Sequence, residues 1–388
     1  MRFAERIAQV PPYLFAELNK KKAALTAQGA DLIDLGVGDP DRPTPIHVIE
    51  ALARAAQDPA THRYPPYEGI LEFRSAMARY YQRRFGVNLD PEREVMTVIG
   101  SKEGLAHLLW GLVGPGDVAL VPEPAYPVYR THTLLAGAEP YPLPLAADNG
   151  FLPDLEAVPA AVLDRARVLL LNYPNNPTTG VVDLGFFEHV VDFAHRHGLV
   201  VCHDAAYVEL TFDGYRAPSI LQVTGAREVA VEFYSLSKPF NMTGWRLGAA
   251  LGNQDVVFRA LGIIKTNTDS GQFAAVQLAG VAALEHDPAD FITGMNQVYA
   301  ARRQVLVEGL RQAGFDVKAP LGTFYVWAPA PPGEDAAGLA ARLLEQAHVI
   351  AVPGAAYGKA GRDYLRFACT VEEDRLREAT QRIRAALG

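Results

Sequence analysis

The chain is poor in several things, and each shortage excludes a class of function. It has only two cysteines, Cys202 and Cys369, which lie far apart and show no metal or redox spacing. A reduced, cytoplasmic setting is the expectation. No apolar run reaches about 18 residues, so no membrane-spanning helix is predicted. The first residues, Met1-Arg-Phe-Ala-Glu-Arg-Ile7, lack the apolar core of a signal peptide. Net charge is −8 with no block of like charge, so there is no electrostatic footprint for nucleic acid. No GxGxxG turn follows a strand, which argues against a dinucleotide-binding oxidoreductase. Lysine is scarce: there are eight, and five (20, 21, 22, 318 and 359) sit in polar or terminal context.

What is present is an ordinary globular mix, 49% apolar and 21% charged over 388 residues, long enough for two domains. Residues 1–30 read as an arm and a basic helix, broken at Pro11-Pro12 and carrying Lys20-Lys21-Lys22 near its end. A short strand, Leu32–Leu35, leads into the turn-rich Gly36-Val-Gly38-Asp-Pro40. That segment reads either as a loop between domains or as backbone brought close to a ligand at Gly38. From about 45 to 285, short uniformly apolar runs alternate with helical stretches, the pattern of a parallel sheet covered on both faces. After about 290 the pattern changes to a long helix (291–313), a strand at Phe324–Trp327, a proline-rich link, a further helix and a final strand–helix pair. The predicted division is 1–45 as an arm and part of a small domain, 46–287 as a large domain, and 288–388 as the remainder of the small domain.

In open parallel sheets, ligands bind beyond the carboxyl ends of the strands. Each predicted strand here ends in a group able to bind one. Val95–Ile99 leads to Gly100-Ser101-Lys102, where Ser101 is expected to cap a helix whose positive end suits a phosphate. Val118–Val121 leads to Tyr126, flanked by prolines and able to stack on a flat ring. Val168–Leu171 leads to Asn176 in Asn175-Asn176-Pro-Thr-Thr-Gly180, which turn chemistry alone also explains. Leu199–Cys202 leads to Asp204, a carboxylate closing an apolar strand and wanting a cation, with Tyr207 expected one helical turn on. Val229–Tyr234 leads to Ser235-Leu-Ser237-Lys238, with Arg246 eight residues on. A lysine in such a turn is ordinarily structural or solvated, and becomes a nucleophile only if desolvated or flanked by positive charge. Arg366, between apolar neighbours on a predicted strand, wants a carboxylate from the protein or from a substrate.

Together these residues resemble the class I/II aminotransferases, the fold-type I family that uses pyridoxal 5′-phosphate (PLP). The resemblance covers essentially the whole chain. It is carried by Ser235-Leu-Ser-Lys238 with Arg246, Asn176-Pro-Thr-Thr-Gly180 and Asp204-Ala-Ala-Tyr207. It implies an α/β fold: a large domain with a mainly parallel seven-stranded sheet between helices, and a smaller α+β domain. Lys238 would hold the cofactor as a Schiff base, Asp204 its ring nitrogen, and Asn176 and Tyr207 its ring hydroxyl. Ser101, Lys102, Ser235, Ser237 and Arg246 would form the phosphate cup, Tyr126 would stack on the ring, and Arg366 would bind the substrate α-carboxylate. Tyr64 would reach the phosphate of a neighbouring subunit, which implies a homodimer with shared sites.

Within the family the resemblance is to bacterial LL-diaminopimelate aminotransferases and their aspartate-aminotransferase-like relatives. It rests on Pro11–Glu17, Leu35–Asp41, Ile99–Gly104, Phe151–Asp154 and Ser235–Arg246. In that subgroup Tyr13, Gly38 and Asn267 would line the substrate or cofactor site. Two departures stand out: Asn-Pro-Thr-Thr-Gly is one threonine longer than usual, and Asn267–Gln272 has no arginine for a substrate side-chain carboxylate. The implied reaction moves an amino group from an L-amino acid to a 2-oxo acid such as 2-oxoglutarate. The alternatives are an aspartate, broad-specificity or aromatic aminotransferase, a PLP-dependent β-lyase, and a catalytically silent binding module.

Overall fold

The computed structural model describes residues 3–10, 15–286 and 288–388. Its centre is a seven-stranded sheet built from β2 (Val95–Val98), β3 (Val118–Glu123), β4 (Glu139–Pro144), β5 (Ala166–Leu171), β6 (Val200–Asp204), β7 (Ala230–Ser235) and β8 (Gly248–Gly252). β1 (Ile33–Asp34) lies outside it. The order across the sheet is β2-β8-β7-β6-β5-β3-β4, and every pairing is parallel except those made by β8.

The apolar runs read as fully buried strands because both faces are covered. Leu169 and Leu171 of β5 enter one core, and the alternate residues Val168 and Leu170 enter another on the opposite face. β4 was not predicted, because its sequence Glu-Pro-Tyr-Pro-Leu-Pro looks like a breaker. It is the outermost strand. Alternate N–H groups of an edge strand point away from its neighbour, so Pro140, Pro142 and Pro144 forfeit no bond to β3.

A second core joins Ile33 and Leu35 to the Pro288–Gln312 helix, the Glu373–Leu387 helix and a three-stranded sheet. That sheet contains β9 (Tyr325–Pro329), β11 (Val352–Pro353) and β12 (Tyr364–Ala368), with β12 central and antiparallel to both neighbours. β1 pairs separately and in parallel with β10 (Val349–Ile350). Helices at Glu5–Gln9 and Phe15–Ala27 precede all of this; Pro11-Pro12 lies outside the described residues. Among the described residues no helix is long and apolar enough to cross a membrane.

Candidate active site

The carboxyl ends of β2, β3, β5, β6 and β7 face the same cavity of roughly 430 Å³, and the small sheet closes it from the other side. Twelve of the fifteen candidate residues line it: Gly38, Ser101, Lys102, Tyr126, Asn176, Asp204, Tyr207, Ser235, Ser237, Lys238, Arg246 and Arg366. Two others are elsewhere. Tyr64 is 89% exposed, and Asn267 is exposed, its amide donating to the Ile263 carbonyl at 2.8 Å. Tyr13 lies outside the described residues.

Lys238 sits just past β7, and its ammonium donates to the Gly38 carbonyl at 2.7 Å. Burial lowers its pKa to about 8, helped by Arg366 and Arg246 and opposed by Asp39 and Asp204. The ordinary explanation of a solvated turn lysine therefore fails. Gly38 is needed for packing: a Cβ there would stand 1.7 Å from the Tyr325 hydroxyl.

Asp204 ends β6 and is buried. One carboxylate oxygen accepts the Tyr129 hydroxyl at 2.8 Å. The other has no hydrogen-bond partner among the described residues. Burial raises its proton affinity, while Tyr129 and His203 pull it back down. A buried carboxylate with one open oxygen suits a cationic N–H donor, which a protonated pyridine ring supplies.

At the opposite end, Gly100 takes φ 75° and caps the Ser101–Leu112 helix, where Ser101 was expected. The positive φ favours glycine here, and a Cβ would in addition lie 2.3 Å from an Arg246 guanidinium nitrogen. Ser101 is instead the first helical residue, its buried hydroxyl without a partner among the described residues. Ser235 accepts the Ser237 backbone N–H at 3.2 Å. The Lys102 pKa is lowered by burial and by the neighbouring Arg246 charge. Arg246 itself holds the left-handed conformation (φ 55°), with its carbonyl accepting from Gln272 at 2.8 Å. Two cations, a helix N-terminus and hydroxyls at one end of the cavity form an anion site suited to phosphate. Tyr126 lies between the two ends, its ring 5.8 Å from the Lys102 ammonium.

Arg366, on β12, is 3% exposed. It donates to the Asn176 side-chain oxygen at 2.9 Å and to the Gly36 carbonyl at 2.6 Å. Its Nε has no partner, and it forms no salt bridge among the described residues. Among the described residues the protein supplies it no carboxylate, which leaves the cavity-facing guanidinium able to take one from a ligand.

Tyr207 is not on a helix. Residues 206–209 turn, because the chain crosses here to put Tyr207, Leu210 and Phe212 into the second core. Its hydroxyl still reaches the cavity. The extra threonine in Asn-Pro-Thr-Thr-Gly is absorbed locally: Thr179 adopts φ 62°, and its N–H closes onto the Asn175 carbonyl at 2.9 Å. Asn176 keeps its place in the cavity.

Sequence reasoning missed Tyr129 and Asn172. Asn172 donates to the Asp204 carbonyl at 2.6 Å and accepts the Asn176 N–H at 2.8 Å, tying two strand ends together. Its place directly after β5 was the available signal. Tyr129 offered none, since a tyrosine three residues after Tyr126 reads as helix packing.

Lys238 faces the same cavity as the open carboxylate oxygen of Asp204, the cationic end at Ser101, Lys102 and Arg246, and the buried guanidinium of Arg366. Residues 30–383 match the family profile described as aminotransferase class I and II. The chain belongs to that family. It is 55% identical to the LL-diaminopimelate aminotransferase of Moorella thermoacetica over 388 residues, covering 100% of this chain and 99% of that one. It is 52% identical to the enzyme of the same name from Syntrophobacter fumaroxidans, covering 98% of each. Among solved structures, substrate-bound BacF from Bacillus subtilis superposes with a TM-score of 0.95 at 37% identity, covering 99% of this chain and 98% of that one. The protein is a PLP-dependent aminotransferase of fold type I, and its substrates are amino acids and 2-oxo acids.

Proposed function

We propose that this aminotransferase uses LL-diaminopimelate as amino donor and 2-oxoglutarate as acceptor, within amino acid biosynthesis. The observation carrying the proposal is the full-length identity to enzymes of that name. The missing arginine in Asn267–Gln272 supports it against a strict aspartate preference.

Bound PLP supplies an electrophilic carbonyl and an electron-withdrawing ring. In the proposed assignment Asp204 presents its open oxygen to the ring nitrogen, with Tyr129 fixing the other oxygen. Asn176 and Tyr207 would hold the ring hydroxyl, and Tyr126 would stack on the ring. Ser101, Lys102, Ser235, Ser237 and Arg246 would hold the phosphate independently of the bond to Lys238. Arg366 grips the α-carboxylate so that the Cα–H bond faces Lys238. Lys238, in its neutral form, would accept the proton leaving the substrate Cα and hold it at its Nζ as general base and then acid.

The proposal includes a homodimer. Tyr64 and Asn267 are exposed, and their segments are neighbours: a Cβ on Gly271 would lie 3.1 Å from the Pro66 carbonyl. Tyr67, Ile263 and Phe273 are exposed nearby in sequence. A second copy seated there would receive Tyr64 and Asn267 at its own cavity. Division at 45/46 and 287/288 is likewise proposed, supported by the separate cores. A cytoplasmic setting is supported by two buried, unpaired cysteines.

A donor panel tests the substrate. LL-diaminopimelate, aspartate, glutamate, alanine and aromatic amino acids are assayed with 2-oxoglutarate, and kcat/KM should be highest for LL-diaminopimelate. A higher value for another donor overturns the assignment. Continuous turnover of an amino acid without any 2-oxo acid would instead indicate lyase chemistry.

A further inference from the structure

Tyr325 begins β9 and is 2% exposed. Its backbone is fixed by pairing with Ala368 and by the Thr323 hydroxyl, which accepts its N–H at 3.1 Å. Arg366 lies opposite Trp327 in the same ladder, so Tyr325 and Arg366 are diagonal neighbours on one face. The guanidinium carbon stands 4.0 Å from the centre of the Tyr325 ring and 5.0 Å from that of Tyr357. At its other end, the Tyr325 hydroxyl lies 3.0 Å from the Tyr207 hydroxyl. One side chain thus touches both the arginine assigned to the substrate carboxylate and the tyrosine assigned to the cofactor's ring oxygen.

We propose that Tyr325 is a positioning residue with two separable actions. Its ring holds the Arg366 guanidinium in place for the substrate carboxylate, and its hydroxyl directs the Tyr207 proton toward the cofactor's ring oxygen. This rests on the roles proposed above for Arg366 and Tyr207. Either hydroxyl can donate in the Tyr325–Tyr207 pair, but Tyr207 has one proton. If Tyr207 spent it on Tyr325, none would remain for the ring oxygen. An anionic acceptor beyond Tyr207 selects the order Tyr325 to Tyr207 to ring oxygen. Hydrogen bonds in such a chain polarise and strengthen one another.

The test uses holoenzyme carrying Tyr325→Phe, Tyr325→Leu or Tyr207→Phe. The first readout is the pH titration of the bound cofactor's visible band, which needs no amino donor. That band reports the proton shared between the ring oxygen and the neighbouring nitrogen. A donor to the ring oxygen favours losing that proton, so weakening the donor raises the apparent pKa. Tyr325→Phe should raise it by about half a unit while leaving KM for the amino donor within about twofold. Tyr325→Leu should show the same rise and a KM about five- to tenfold higher, because the face under Arg366 is lost. Tyr207→Phe should shift the band further than Tyr325→Phe. If Tyr207→Phe shifts the band and Tyr325→Phe does not, the hydroxyl action is refuted. If Tyr325→Leu leaves KM unchanged, the ring action is refuted. If Tyr207→Phe itself leaves the band unmoved, the underlying assignment of Tyr207 fails. Should Tyr325→Leu not fold, Tyr325→Phe still decides the hydroxyl action, and Tyr325→Met, whose long flexible side chain fills more of the space, decides the ring's.

Discussion

Lys238 should capture its cofactor with a pH dependence set by a pKa of about 8. Only the neutral amine attacks an aldehyde. At pH 7, a pKa of about 8 leaves about one lysine in eleven neutral, against about one in three thousand for an ordinary lysine. The buried setting therefore supplies about 300-fold more nucleophile. The perturbation is pH, applied to cofactor-free protein mixed with PLP in a stopped-flow spectrometer. The logarithm of the capture rate should rise with unit slope below about pH 8 and level off above it. Arg366 and Arg246 help to lower the pKa, so Arg366→Gln should move the break upward. A rate still climbing with unit slope at about pH 9.5 would refute the reasoning, because the amine would then keep its ordinary affinity for protons.

Three substitutions probe the rest of the site. Asp204→Asn removes a charge pairing worth about 4 kcal/mol at about 4 Å and an effective dielectric of about 20, so kcat should fall about a thousandfold in steady-state assays. Arg366→Lys should raise KM for the amino donor about 10- to 100-fold, since a single ammonium replaces a planar fork held by Asn176 and Gly36. Gly38→Ala forces a Cβ against the Tyr325 hydroxyl, so about 1–3 kcal/mol of strain should appear as a fall in kcat/KM, with the far-ultraviolet dichroism unchanged.

The strand ends were legible because buried parallel strands are uniformly apolar, so the polar residues that follow each one stand out. Asp204, Ser235 and Asn176 were found that way, and the cavity gathers them. Position after a strand says nothing of partners, however. Tyr129 reaches Asp204 across 75 residues, and Tyr325 reaches Tyr207 across 118, so neither leaves a local pattern. β4 was hidden by prolines that only an edge position tolerates. The turn at 206–209 was read as helix because spacing alone cannot show that the chain must leave one core for another. Ser101 was read as a cap because Gly100 is silent until Arg246 is seen packed against it. Tyr64 and Asn267 are exposed and do not line the cavity of their own chain, which their place in the sequence did not reveal.

The most direct test of the account is to reduce the PLP-bound enzyme with borohydride and map the modified peptide by mass spectrometry. The account predicts a pyridoxyl group on Lys238 alone. A label on Lys102 or Lys265, or full labelling of a Lys238→Ala variant, would contradict it.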